Sequence, residues 1–177
     1  ATPITATAIV TMILLSGGNR AQSLAEIQGL ARVCAALIRR RHIEIVGRSN
    51  FRDADVILRT LAELNKTAVV SYLDEGTERL YAISANQHLN AAYYRNTAIQ
   101  HFILDAFVEI ALLYAVSVTG VRREAFFARA NDLRELFKFE FYFPRRADYR
   151  AEIEKRARDR FDDWERSSPA ALQEIQP

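Results

Sequence analysis

The feature that most constrains the fold is the stretch from Ala98 to Val118, which is apolar on nearly every helical face. Apolar residues at helical spacing predict one long helix that begins near Asn86 and lies at the centre of a helical domain. The main stripe comprises Ile99, Phe102, Ile103, Ala106, Phe107, Ile110, Leu113 and Tyr114. Asp105 and Glu109 interrupt the stretch, and each charge at a bilayer centre costs about 2.5–3.5 kcal/mol. A buried helix is therefore favoured over a membrane span.

The first half of the chain contains signals for three helices followed by a hairpin. Thr2 is the expected N-cap of the first helix, a capping box begins at Ser23, and Asp53 is the expected cap of the third helix. Two strands, 69–73 and 79–83, flank a loop that contains Gly76. This order predicts a winged-helix-like lobe over residues 1–84.

The second half is predicted to be entirely helical. After the long helix, a further helix is expected from Arg122 to Phe143, where Pro144 would end it. A charged surface helix follows over 147–166, and 167–177 form a tail. The predicted fold is thus mainly α, with a small β-hairpin, a winged-helix-like lobe at 1–84 and a helical lobe at 85–166.

Composition excludes several classes of function. The 177 residues carry a net charge of only +2, which argues against a strong nucleic-acid footprint. Of the basic residues 21 are Arg and three are Lys, which we interpret as compositional bias. Cys34 is the single cysteine and predicts a reducing compartment. The sequence contains no glycine-rich phosphate loop, nucleophile elbow or metal-type Cys/His cluster, so no cofactor is expected.

A cluster of tyrosine, arginine and asparagine opens the long helix. Tyr94, Arg95 and Asn96, preceded by Tyr93, could hold a phosphate or a carboxylate. A structural role is favoured, because one arginine alone rarely makes a phosphate site. In that case Arg95 is expected to pair with an acidic side chain such as Glu140, which lies in an apolar segment and needs a basic partner.

Three polar residues at intervals of four share one face of this helix. His101, Asp105 and Glu109 have helical metal-site spacing, but a metal site needs further ligands from another element. His42 and His88 are isolated in the sequence. A core hydrogen-bonding role is therefore expected for the three residues, and no metal site is predicted.

Two basic clusters are candidate contacts for an anionic membrane surface. The first cluster, Arg39, Arg40 and Arg41, lies at the predicted C-terminus of the second helix, where the helix dipole favours cations. A solvated helix end is therefore the preferred interpretation over a lipid or phosphate contact. The second is Arg145 with Arg146. A contact to another domain explains either cluster equally well.

Three motifs occur along the chain: TPITATA from Thr2, LNAAYYRNTAIQHF from Leu89 and LRELFKFEFYFP from Leu133. Together they resemble the C-terminal region of bacterial membrane-associated glycerol-3-phosphate acyltransferases. Their order and spacing extend the resemblance over essentially the whole chain. The start at Ala1 suits a fragment, a processed chain or an internal domain.

The resemblance implies an enzyme that transfers an acyl group from acyl-CoA or acyl-carrier protein to position 1 of glycerol 3-phosphate. The family's His-x-x-x-x-Asp motif is absent, since His101 to Asp105 is one residue too short, so no catalytic residue is assigned and the chain alone is expected to be inactive. The implied role is an accessory region of phospholipid biosynthesis that packs on the catalytic domain of the same protein, peripheral to the cytoplasmic side of the cell membrane.

Two other functions remain open from the sequence. The first is a winged-helix DNA-binding regulator with a helical dimerisation region. The third predicted helix speaks against it, because Arg59 is offset by Asp55 and Glu63. Specific nucleic-acid binding is therefore not expected. The second is a purely structural interaction domain.

Overall fold

The computed structural model describes residues 3–18, 20–46, 51, 53–76, 78–119, 121–162 and 164–166. Within these ranges the fold is mainly helical with one small antiparallel sheet, as the sequence predicted. The elements in chain order are α1 (Ala6–Ser16), β1 (Gln22–Ser23), α2 (Leu24–Arg40), α3 (Ala54–Lys66), β2 (Val70–Glu75), β3 (Glu78–Ile83), α4 (His88–Ile99), α5 (Ile103–Ser117), α6 (Arg122–Phe137) and α7 (Arg146–Arg160).

The chain divides into two compact units, residues 1–99 and 100–177. Helix α4 belongs to the first unit because it packs along α1, with the small side chains of Ala91 and Ala98 fully buried. The sequence had assigned residues 85–99 to the second lobe. The predicted tail, 167–177, lies outside the described residues.

The helix starts of the first unit follow their capping chemistry. The backbone N–H of Glu26 donates to Ser23 Oγ at 3.2 Å, and Glu26 Oε2 accepts from the backbone N–H of Ser23 at 2.8 Å, which confirms the capping box. Asp53 caps α3 through Asp55 N–H at 3.0 Å. Thr5 caps α1 through Ala8 N–H at 3.2 Å, whereas the predicted cap Thr2 lies outside the described residues.

The sheet has the order β1–β3–β2, and both pairings are antiparallel. The hairpin places Val70 opposite Ile83, and Gly76 at its turn has φ +64°, a conformation that costs a glycine little. Strand β1 was not predicted, because two residues are too short to show a periodic pattern. The winged-helix-like description of this lobe stays a prediction.

The prediction of one long helix from Asn86 was wrong. Helix α4 ends at Ile99 and α5 begins at Ile103, with a turn between them that contains neither proline nor glycine. Helix α4 packs against α1 in the first unit, whereas α5 packs in the core of the second unit. On α5, Ile110 and Tyr114 are 41% and 42% exposed, so the apolar stripe is buried only in part.

The second unit has its core between α5, α6 and α7. Helix α6 ends at Phe137, six residues before the predicted end, because the following phenylalanines turn inward: the ring of Phe143 lies 5.8 Å from that of Phe107. After α7, Trp164 is buried against Phe126, with their ring centroids 4.5 Å apart. The predicted stripe of Tyr149, Ile153 and Ala157 on the last helix is buried, as expected.

Candidate docking surfaces

The outward face of α4 exposes large apolar side chains. Leu89 and Tyr93, one helical turn apart, are 86% and 72% exposed, while Tyr94 is partly covered. The rings of Tyr93 and Tyr94 meet edge to face at 6.0 Å. Because α4 already buries Ala91 and Ala98 against α1, these outer side chains contribute little to the folding of the unit itself. We name Leu89 and Tyr93 the α4 face.

Arg95 lies beside this face, and its described hydrogen bonds go to its neighbour in the sequence. The Nε and Nη2 atoms of Arg95 donate to Asn96 Oδ1 at 3.2 and 2.9 Å. Glu140, its suggested acidic partner, is exposed in the other unit. Pairing with Glu140 therefore stays a prediction, and the structure presents Tyr94, Arg95 and Asn96 as part of a polar rim around the α4 face.

Two residues of the predicted polar stripe, Asp105 and Glu109, lie on α5 and form ion pairs with α7 in the second unit. Asp105 Oδ2 accepts from Arg156 Nη1 at 2.5 Å, and Glu109 pairs with Arg160. Asp105 is only 5% exposed. His101 precedes α5 in a turn and is half-buried. Among the described residues no group of three or more His, Cys, Asp or Glu side chains could hold a metal ion.

A second charge network ties α6 to α7 and was not found from the sequence. Arg123 Nη2 donates to Glu154 at 2.8 Å and its Nη1 to Glu165 at 2.5 Å. Arg158 Nη2 adds a bond to Glu154 at 3.1 Å. Burial alone would raise the pKa of Glu154, but the hydrogen bonds from Arg158 and Arg123 outweigh it and hold this pKa below its ordinary value. The i,i+4 pair of Glu154 and Arg158 is readable in the sequence, whereas the contacts of Arg123 depend on tertiary packing.

The segment after α6 alternates inward and outward aromatic rings. Phe137, Phe141 and Phe143 turn toward the core, while Phe139 and Tyr142 are 88% and 97% exposed. The predicted membrane-contact residues Arg145 and Arg146 follow directly and are exposed. Two exposed aromatic side chains therefore lie close in sequence to Arg145 and Arg146, which the sequence had singled out by their charge alone.

The other predicted basic cluster ends α2. Arg39 and Arg40 are exposed in the last helical turn, and Arg41 is the C-cap residue, whose backbone N–H donates to Leu37 at 2.9 Å. Cations here complement the negative end of the helix dipole. The exposed apolar residues of α2, Leu30 and Val33, lie at least six residues before Arg39, and at 40% and 42% they are much less exposed than Phe139.

No single helix among the described residues has the length and apolarity needed to cross a bilayer. The consecutive helices α4 and α5 reach the required length and composition only when they are taken together.

Cys34 is the lone thiol, and burial raises its pKa to about 11, so it is a poor nucleophile near neutral pH.

Comparison with known proteins identifies the family of the chain. A family model described as "Glycerol-3-phosphate acyltransferase C-terminal region" matches residues 1–167. Proteins named "Putative acyltransferase plsB1" from Mycobacterium bovis and from two strains of Mycobacterium tuberculosis are 38% identical over 156 residues. The match covers 86% of this chain but only 25% of each relative, so the chain spans about a quarter of their length.

Proposed function

Since the chain belongs to the glycerol-3-phosphate acyltransferase C-terminal region family, we propose that it is an accessory region that docks on the catalytic domain of a larger acyltransferase. The whole protein, in this proposal, transfers an acyl group to glycerol 3-phosphate in phospholipid biosynthesis. The family match does not favour the DNA-binding alternative.

The observation that carries this proposal is the exposure of the α4 face. Leu89 and Tyr93 lie in one of the three motifs that resemble the family, yet they are exposed and do not pack into the core of their own unit. Large apolar side chains side by side on an exposed helix face are typical of a protein interface. Full burial of one such side chain contributes about 1.5–3 kcal/mol, from which the costs of association are subtracted.

The surrounding chemistry fits such an interface. Tyrosine combines a large apolar ring with a polar tip, and arginine can pair with a carboxylate through two parallel bonds. Tyr94 and Arg95 therefore supply the polar rim around Leu89 and Tyr93. In this proposal Arg95 orients the docked surface and has no part in the chemistry of acyl transfer.

The experiment measures docking directly. This chain and the remainder of the full-length protein are produced as separate polypeptides, and their affinity is measured by calorimetry. We expect the double variant Leu89→Ser/Tyr93→Ser to bind at least tenfold more weakly with an unchanged melting temperature. Leu30→Ser/Val33→Ser, an exposed apolar pair on α2 of the same unit, is the matched control and should bind as the unmodified chain does. Equal affinity of both variants would refute docking through α4.

A further inference from the structure

The segment from Lys138 to Arg145, which we name the aromatic loop, presents two aromatic side chains almost entirely to solvent. Phe139 is 88% and Tyr142 97% exposed, and Leu136 on the last turn of α6 is 70% exposed. These three are among the most exposed large apolar side chains in the described part of the chain. Phe139 and Tyr142 lie beyond the end of α6, in the turn and the irregular segment that follow it, so their rings form protruding tips and not a flat helix face.

The loop is held by aromatic packing on both sides of these tips. Phe137 lies 5.6 Å from Phe107, and Phe141 lies 6.1 Å from Phe137, measured between ring centroids. Phe143 contacts both Phe107 and Tyr149, at 5.8 and 5.9 Å. Arg134 Nη2 also donates to the carbonyl oxygen of Pro144 at 3.2 Å. Little further ordering is needed when Phe139 and Tyr142 are buried by a partner, which favours binding.

Basic side chains border the tips. Lys138 Nζ lies 5.2 Å from the ring centroid of Phe139, Arg145 ends the loop, and Arg146 follows it. Glu135 accepts hydrogen bonds from Lys138 at 3.1 Å and from Arg146 at 3.0 Å. The hydrogen bond from Lys138 holds the pKa of Glu135 below its ordinary value. Glu140 is the one acidic residue within the loop itself, so cations exceed anions along 138–146.

We propose that the aromatic loop is a docking surface for an anionic lipid bilayer, inserting Phe139 and Tyr142 at the level of the headgroups. The lipid proposal rests on the proposed function only because a role in phospholipid synthesis makes a bilayer an expected partner. The structure of the aromatic loop itself does not depend on docking through α4. Aromatic rings bordered by arginine and lysine are the composition found where proteins meet a bilayer interface. Protruding tips can enter a fluid interface without a complementary pocket, which a protein partner would have to supply.

Electrostatic attraction and insertion of aromatic rings each make a measurable contribution to the binding of the chain to vesicles. A basic residue near an anionic surface adds about fivefold to partitioning, and the contribution is screened by salt. Insertion of an aromatic ring adds on the order of tenfold and is not screened. The two contributions can therefore be separated with variants and with ionic strength.

Flotation of the 177-residue chain with lipid vesicles tests the proposal. The vesicles contain phosphatidylcholine alone or phosphatidylcholine with 30% phosphatidylglycerol, about one anionic lipid in three as a probe of surface charge. We expect binding to the anionic vesicles at least tenfold stronger than to the neutral ones. Arg145→Gln/Arg146→Gln should weaken the binding about 25-fold, and Phe139→Ser/Tyr142→Ser should weaken it about a hundredfold. Equal binding to both vesicle types would overturn the proposal.

A matched control distinguishes this surface from the α4 face. Leu89→Ser/Tyr93→Ser also removes an exposed leucine and tyrosine, and it should leave vesicle binding unchanged. If it abolishes vesicle binding while Phe139→Ser/Tyr142→Ser does not, the lipid contact lies elsewhere and the proposal fails. If Phe139→Ser/Tyr142→Ser weakens only the association with the remainder of the protein, the aromatic loop is a protein interface, and the lipid proposal also fails.

Fluorescence gives an independent readout of insertion. In Tyr142→Trp the new indole begins exposed, whereas the native Trp164 is buried and supplies a constant background. Anionic vesicles with bromine on the acyl chains should quench the added emission and shift it to shorter wavelength. Absence of quenching, with binding retained, would show that the loop does not enter the bilayer.

Discussion

At the scale of single residues, Asp105 shows what one buried charge requires. Its carboxylate is 5% exposed, and the guanidinium of Arg156, whose side chain is 13% exposed, meets it at 2.5 Å. Arg156 Nε also donates to Glu152 at 2.8 Å, so the arginine is held between two acids. Removing one partner of a buried pair is costly because the other charge stays in a poorly hydrated site.

The variant Asp105→Ala is therefore expected to lower the free energy of unfolding by about 3 kcal/mol, at the lower end for buried pairs because Glu152 remains. Chemical denaturation measures this loss. Asp132→Ala, an exposed aspartate on α6, is the control and should change stability by less than about 0.5 kcal/mol. Equal losses in the two variants would contradict the importance of the Asp105–Arg156 pair.

Cys34 allows a second test at this scale. Burial raises the pKa of its thiol from 9.0 to about 11. The folded state therefore keeps the proton where the unfolded state loses it, so the thiol's contribution to stability is complete below pH 9 and is lost as pH rises toward 11.

We expect alkylation of Cys34 by iodoacetamide at pH 8 to be about a hundredfold slower in the folded chain than in denaturant, since two pKa units separate the thiolate fractions. The rate in the folded chain should rise steadily with pH up to about 11. A folded rate that already levels off near pH 9 would show that the thiol is not perturbed.

At the scale of elements, α6 and α7 are joined by charges as well as by apolar packing. Glu154 receives bonds from Arg123 on α6 and from Arg158 on its own helix, and its pKa is lowered. A lowered pKa means that the ionised carboxylate stabilises the folded state above the ordinary pKa of 4.5, and that this contribution disappears as pH falls.

Glu154→Gln should therefore flatten the pH dependence of stability. We expect the unmodified chain to lose more stability than the variant between about pH 5 and pH 3, measured by thermal unfolding across that range. Glu124→Gln, at an exposed position in the first turn of α6, should retain the original slope. An identical acid dependence in the unmodified chain and Glu154→Gln would contradict a role for the network in acid stability.

Elements whose signals are local could be predicted from the sequence. The capping box at Ser23, the cap at Asp53 and the hairpin around Gly76 depend on neighbouring residues, and all are present. The break after Ile99 could not be predicted, because no local breaker marks it and the two flanking helices belong to different units. Likewise, the early end of α6 depends on Phe107, some thirty residues away in the sequence.

The candidate surfaces were predictable only in part for the same reason. The sequence marked Arg145 and Arg146 by their charge and Arg95 by its aromatic neighbours. Helical periodicity placed Tyr114 on a buried stripe, but it is 42% exposed, and the alternation around Phe139 was assigned to a helix end. Whether an aromatic ring faces the core or solvent depends on tertiary packing, which a single sequence does not contain.

At the scale of the whole molecule, the chain has two compact units and spans about a quarter of its relatives. Across its 177 residues it lacks the His-x-x-x-x-Asp spacing, because His101 and Asp105 are separated by only three residues. Asp105 is moreover engaged by Arg156 and so is not available to orient a catalytic histidine.

The purified chain alone should therefore form no lysophosphatidic acid from glycerol 3-phosphate and palmitoyl-CoA above the buffer background. Product formation is followed by mass spectrometry over several hours. The full-length protein under the same conditions is the positive control. Sustained turnover by the isolated chain would mean that its polar residues perform chemistry that we have not assigned.

The two ion pairs between α5 and α7 also fix the position of α7 along α5. Asp105 meets Arg156 and Glu109 meets Arg160, so both acids and both arginines are four residues apart and ascend together along the chain. If α7 slipped by one turn, Asp105 would face Glu152, and two carboxylates would repel each other. A slip the other way would bring Glu109 opposite Trp164, beyond the end of α7. Apolar stripes tolerate such shifts, whereas only the observed alignment keeps both ion pairs.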